Sequence, residues 1–196
     1  MNFLAHLYLS KNNKNILIGN FIADAVKGKK HENYPKEIQA GILLHRQIDY
    51  FTDTHPIVKQ SKRRLHPKYG HYRGIIIDIL YDHFLAKNWI NYSMLTLPVY
   101  ASRVYTIFQD QVETFPTEIQ KMLPYMVEQN WLASYAFIPG IENTLIGMNK
   151  RTKGNSKMDL ATQDLVKNYE DFESDFTVFF KELIAFTDEK TKELLK

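Results

Sequence analysis

At 196 residues, 44% of them hydrophobic and with 12 Tyr and 12 Phe, the chain suits one domain with a real core. It has no cysteine, which excludes disulfides, thiolate metal sites and thiol nucleophiles; any metal must take His, carboxylate or water ligands, a set suited to Mn²⁺ or Mg²⁺ and compatible with Zn²⁺ or Fe. A net charge of +3 is too mild to argue for nucleic acid, and without a segment of membrane length or a signal-peptide pattern the chain is expected in the cytoplasm.

Only 7 Pro and 8 Gly favour long regular elements, and no stretch reads as a strand, so the fold class is all-α. Residues 2–10 (NFLAHLYLS) predict a short apolar helix carrying His6. Residues 16–30 predict a second helix closed by Gly28 and two lysines, with Asp24 as its only carboxylate among Ile22, Ala23, Ala25 and Val26. A third helix opens at Pro35 and runs to about Thr54. At about 100° per residue from Ile38, Ile42 falls at about 40°, His45 at about 340° and Asp49 at about 20°. His45 and Asp49 are thus i,i+4 neighbours on the apolar face, roughly 5–6 Å apart at Cβ, and Asp53 continues the stripe. Such a pair shares a metal, or the Asp orients the imidazole, or the two simply hydrogen-bond to each other.

Residues 55–73 (HPIVKQSKRRLHPKYGHYR) contain Lys59, Lys62, Arg63, Arg64, Lys68 and Arg73 and no acid. Part is expected to be helical from Pro56, with HPKYG as a turn. A charge run is commonly a solvated face, but this one lies between two carboxylate-bearing helices and would attract an anionic partner. Residues 74–88 (GIIIDILYDHFLAKN) then read as a buried helix. From Ile75, Asp82 falls at about 340° and His83 at about 80°, with the apolar residues, and Asp78 at about 300°, on the border. A carboxylate inside a core must be paired, bound to metal, or used to cap a neighbouring helix.

Two helices are expected at Leu97–Phe115 and Pro116–Gln129, an aromatic loop from Asn130, and a helix from about Pro139, followed by Arg151 with no acid nearby. GNSKMD (154–159) reads as a linker. The tail from Leu160 is one long amphipathic helix or two, with Leu165, Tyr169, Phe172, Phe176, Phe179, Phe180 and Leu183 at helical spacing. One domain is expected throughout, with a metal-site half over about 1–90 and C-terminal helices over about 97–196 packed against it.

His6, Asp24, His45, Asp49, Asp78, Asp82 and His83 all stand in apolar helical contexts before residue 84. Facing one core, they would be costly unless they converged on something that compensates them, and a divalent ion does so. Metal sites of this kind in helical phosphohydrolases activate water and polarise a phosphoryl oxygen.

The succession MNFLAHLYLS, GNFIAD, GILLHRQIDYFTD and DILYDHFLAKNW closely resembles the acyl carrier protein phosphodiesterase family, also called ACP hydrolase. The likeness is strongest over residues 1–90, with weaker echoes in NWLASY and GMNKR (147–151). It implies a divergent member of the HD phosphatase and phosphodiesterase superfamily: a helical bundle, usually Mn²⁺-dependent. The implied reaction is hydrolysis of the phosphodiester between 4′-phosphopantetheine and a serine of acyl carrier protein. Carried onto this sequence, the resemblance makes His45, Asp82 and His83 the leading metal ligands, with Asp24 and Asp49 next. Asp78 and His6 become ligands of a second ion, orienting groups or a general base, and Arg46 a stabiliser of phosphoryl charge. Since acyl carrier proteins are acidic along one helix, the basic run would form a steering rim. Two other readings stand beside it: an HD-type hydrolase of a nucleotide or other small phosphoester, and a non-catalytic helical binding protein whose buried acids and histidines pair with each other.

Overall fold

A computed structural model describes residues 1–196. The helices are α1 (Phe3–Leu9), α2 (Lys14–Ile22), α3 (Lys36–Thr54), α4 (Pro56–Arg64), α5 (Arg73–Lys87), α6 (Leu97–Gln109), α7 (Thr117–Glu128), α8 (Trp131–Ser134), α9 (Ile138–Arg151), α10 (Ala161–Lys167) and α11 (Tyr169–Leu194). There is no strand, and the expected all-α class holds. No helix is long and apolar enough to cross a membrane.

α2 begins where the Asn13 side chain accepts the N–H groups of Asn15 and Ile16. Every residue from Ile16 to Ile22 is buried, so α2 lies inside the molecule rather than on its surface. It crosses α3 at backbone contact: a Cβ at Gly19 would stand 2.1 Å from the Ile38 carbonyl oxygen, and one at Gly41 would stand 2.3 Å from that of Ile16. Only glycine permits this approach. α5 is the other central element, with residues Ile76, Ile77 and Ile79–Ala86 all buried. The aromatic face of α11 covers it, Phe176 lying 5.6 Å from Tyr81 and 6.1 Å from Phe84 between ring centroids. α4 is pinned to α11 by the buried Asp175 carboxylate, which accepts from Ser61 Oγ at 2.6 Å and from the Arg64 guanidinium.

Several expected boundaries shift. The second helix does not reach residue 30. It ends at Ile22, tightens into a 3₁₀ turn over Ala23–Ala25, and turns again at Gly28, whose φ is +57°. The cause is α3: Arg46 donates to the Val26 and Gly28 carbonyls, both at 2.9 Å, and draws the chain off the helical path. The helix expected over 97–115 stops at Gln109 before a 3₁₀ turn at Val112–Thr114. GNSKMD is no linker. Ser156 and Met158 are fully buried, and Ser156 Oγ bonds Asn149 and Thr152 at 2.9 and 2.8 Å. The tail divides into two helices at Asn168.

The α2–α3 approach makes a direct prediction. Gly41→Ala forces the helices apart and should cost about 1–3 kcal/mol, read as a lower midpoint in urea unfolding.

Candidate metal centre

Three short segments converge at the α2–α3 crossing. α1 brings His6, the 3₁₀ turn after α2 brings Asp24, and α3 brings His45 and Asp49. The two imidazoles stack with centroids 3.8 Å apart and planes inclined by 10°. One donor atom from each of His6, His45 and Asp49 lies within 4.8 Å of the others. The carboxylate of Asp49 bridges the rings, with Oδ1 at 3.2 Å from His6 Nε2 and Oδ2 at 3.1 Å from His45 Nε2. Asp24 Oδ1 stands 3.4 Å from the same His45 nitrogen. Asp78 on α5 joins through the Met1 amine, which lies 3.3 Å from both Asp78 and Asp49.

Asn20 sets the orientation. Its backbone and side-chain oxygens both face His45 Nδ1, at 2.9 and 3.1 Å, so that nitrogen carries a proton and Nε2 is the atom turned to the carboxylates. The protonated ring donates to them through Nε2, which, once deprotonated, can ligate a cation. The amide nitrogen of Asn20 donates to the His6 carbonyl and to Ser10 Oγ, at 2.8 and 3.0 Å. One side chain thus ties α1 to α3. The only sequence signal for it was a single amide in an otherwise apolar run, ILIGNFI.

The electrostatics favour ionised carboxylates at the cluster. Burial works to raise the Asp49 carboxyl, but the hydrogen bonds of His45 and His6 and the Met1 amine outweigh it and hold Asp49 well below the usual range. Burial and the charge of His45 push His6 down, although Asp49 opposes them. His45 is pulled the other way: burial would lower it, but Asp24 and Asp49 together hold it up. Asp78 is raised, chiefly by burial. This is a cluster of N and O donors with fixed orientation and excess acid, which fits a divalent cation bound by His6, His45 and Asp49 with Asp24 alongside.

The centre lies at one wall of a cavity of about 540 Å³, bordered by Asp24, His45, Asp49, Asp53 and Asp78. Trp131 on α8 and Gly140, Asn143, Gly147 and Arg151 on α9 also line it. Residues 129–151 were expected only to pack; the structure makes them half of the cavity.

The family profile described as acyl carrier protein phosphodiesterase matches residues 1–183. The chain belongs to the acyl carrier protein phosphodiesterase family. Proteins of that name resemble it along nearly their whole length: one from Photorhabdus laumondii is 33% identical over 97% of this chain and 96% of its own. One from Yersinia pestis is 32% identical over 97% and 99%, and one from Pectobacterium atrosepticum 32% identical over 99% and 100%. No solved structure matches the chain.

Other residues expected at the site stand elsewhere. Asp82 is fully buried, and its two oxygens accept the N–H groups of Leu4 (2.7 Å) and Ala5 (3.0 Å), so it caps α1 instead of reaching the cavity. Burial raises its pKa to about 7, against the pull of those two N–H groups. His83 uses both ring nitrogens inside the fold, Nδ1 on the Tyr135 carbonyl at 2.8 Å and Nε2 on the Tyr169 hydroxyl at 2.7 Å. Neither borders the cavity. Arg46, expected on phosphoryl oxygens, holds the Val26 and Gly28 carbonyls instead.

Within the basic run, Arg64 is committed to Asp175 and Asp171, which removes it from the expected rim. Lys62 neutralises Asp53 at 2.9 Å, and Arg73 Nε donates to the Gly70 carbonyl. Lys68 lies over the Tyr69 ring. Lys59 and Arg63 are exposed and make no ion pair. The run does edge the cavity, because Asp53 borders it and Lys62 stands on Asp53.

Two kinds of variant separate ligand from support. His45→Gln and Asp49→Asn should fold but lose bound metal by elemental analysis. Asp82→Asn and His83→Gln should keep one metal complement per folded molecule and unfold at lower urea, by about 1–3 kcal/mol for a buried partner lost.

Proposed function

We propose that this chain is a metal-dependent phosphodiester hydrolase that removes 4′-phosphopantetheine from holo-acyl carrier protein and leaves the apo form. The observation that carries the reading is the pinned His45 beside His6 and Asp49, on the wall of a large cavity, in a chain of this family. Mn²⁺ is the proposed ion, Mg²⁺ being compatible with the same oxygen-rich set. Such an ion, when bound, lowers the pKa of water and neutralises charge on a phosphoryl oxygen.

The chain's residues then divide the work. His6, His45, Asp49 and Asp24 would hold the ion, so Asp49 and His6 are ligands in this reading. Asn20 keeps His45 in the tautomer that exposes Nε2. Asp78 is raised by burial and borders the cavity, which makes it a stronger base than an exposed carboxylate and suits it to take the proton of the attacking water. Water adds its oxygen to phosphorus as the bond to the serine oxygen breaks. Serine leaves with a proton, and phosphopantetheine leaves as a phosphate monoester.

Lys59 and Arg63, with Lys68, form the part of the basic run free to meet an acidic carrier protein. Lys59→Glu with Arg63→Glu should lower kcat/KM on holo-acyl carrier protein by about tenfold at low salt, through slower association, and should leave a small phosphodiester unaffected. Equal losses on both substrates remove the rim from the proposal.

The deciding experiment is intact mass spectrometry of holo-acyl carrier protein after incubation with the purified protein, with Mn²⁺ and with chelator. A mass lower by one phosphopantetheine, only with metal, is the expected result. An unchanged mass with metal-loaded protein overturns the carrier-protein substrate and leaves a small phosphoester as the reading. A folded protein that takes up no metal overturns the hydrolase reading itself in favour of a binding protein.

A further inference from the structure

The α9 lining of the cavity contains an unexplained glycine and an unexplained arginine. Gly140, Asn143, Gly147 and Arg151 lie three or four residues apart, so they share one face of α9, and all border the cavity. Gly140 has a packing reason: a Cβ there would stand 2.1 Å from the Ser134 carbonyl oxygen. Gly147 has none. A Cβ at Gly147 meets nothing within 4 Å, and the residue sits inside a helix where glycine costs about 1 kcal/mol relative to alanine. Helix stability favours alanine there, and the fold would admit it. The space over Gly147 belongs to the cavity.

Arg151 is the one Lys or Arg side chain on the cavity wall. Its neighbours elsewhere in the chain are engaged: Arg46 on two carbonyls, Lys62 on Asp53, Arg64 on Asp171 and Asp175. Arg151 is exposed and makes only a 3.6 Å contact with Met148 Sδ. It lines the same space as Asp24, Asp49, Asp53 and Asp78, which would repel an anionic ligand approaching alone. Asn143, one turn from Gly147, is exposed and its amide makes no hydrogen bond within the protein.

We propose that this face of α9 is the substrate track: Arg151 binds the non-bridging phosphoryl oxygens, and the open space over Gly147, with the Asn143 amide beside it, receives the extended amide chain attached to the phosphate. The track rests on the phosphodiesterase reading above and gives that reading its specificity for a phosphate carrying a long, slender, polar arm. A guanidinium suits phosphate oxygens because its planar donors pair with them two at a time.

The test compares metal-loaded wild type, Arg151→Ala, Arg151→Lys and Gly147→Leu, all as full-length protein with metal content confirmed. Calorimetry measures binding of 4′-phosphopantetheine and of pantetheine, which lacks the phosphate. Arg151→Ala should lose roughly tenfold or more of the preference for the phosphorylated compound, the effect of one charge-assisted hydrogen bond, with pantetheine binding unchanged. Arg151→Lys should recover part of it. Gly147→Leu should unfold at the same temperature as wild type or higher, yet bind both compounds more weakly and raise KM on holo-acyl carrier protein. An unchanged phosphate preference in Arg151→Ala, or wild-type binding by Gly147→Leu, overturns the track even if holo-acyl carrier protein is hydrolysed. If wild type leaves holo-acyl carrier protein intact but binds inorganic phosphate in an Arg151-dependent way, the carrier-protein reading falls and the phosphate seat stands.

Discussion

The Asp82 carboxylate holds the candidate centre together from outside it. α1 has seven residues, too few to persist as an isolated helix, and its first N–H groups have no partner of their own. Asp82, at 0% exposure on the central helix α5, accepts two of them. A buried carboxylate without partners would be expelled or protonated, and a buried helix N-terminus without acceptors would be equally costly. Each satisfies the other, so α1 is fixed on α5. His6, one turn into α1, then lies against His45.

The second constraint is the glycine crossing of α2 and α3. Because Gly19 and Gly41 let the backbones touch, Asn20 comes close enough to bond His45 with both its oxygens and α1 with its amide. The early end of α2 completes the arrangement by turning Asp24 toward the same imidazole. Acidic and imidazole donors are thereby gathered by elements that each have an ordinary reason for being where they are. The two histidines and the Met1 amine hold Asp49 ionised, and His45 does the same for Asp24, while burial raises Asp78. The physical basis for reading the cluster as a metal site is that nitrogen and carboxylate oxygen donors from His6, His45 and Asp49 converge within one coordination sphere.

Much of this was legible in the chain. The 3.6-residue periodicity placed α1, α3, α5 and the aromatic face of α11, and the i,i+4 spacing of His45 and Asp49 put both on one face before any contact was known. Composition limited the ligands to nitrogen and oxygen, and the MNFLAHLYLS to DILYDHFLAKNW motifs pointed to the family that the profile then matched. Helical phase says that a side chain faces inward, but not what it meets there. Asp82 and His83 share the inward direction with His45 and Asp49, so phase alone grouped all four.

Only the tertiary structure separated them, because a buried polar group is defined by its partner and the partners lie up to 111 residues away: Asp82 on the α1 amides, His83 on Tyr135 and Tyr169, Arg64 on Asp175. That α9 lines the cavity was hidden for the same reason. The GMNKR echo and the absence of an acid near Arg151 marked this stretch in the sequence, but that Gly147 opens onto the cavity becomes visible only once α9 is seen to line the same space as the acids of α3 and α5. The sequence by itself determined the helices, the donor chemistry and the family. Which donors meet was decided by three long-range facts: one carboxylate on a helix end, two glycines at a crossing, and one helix laid along the cavity.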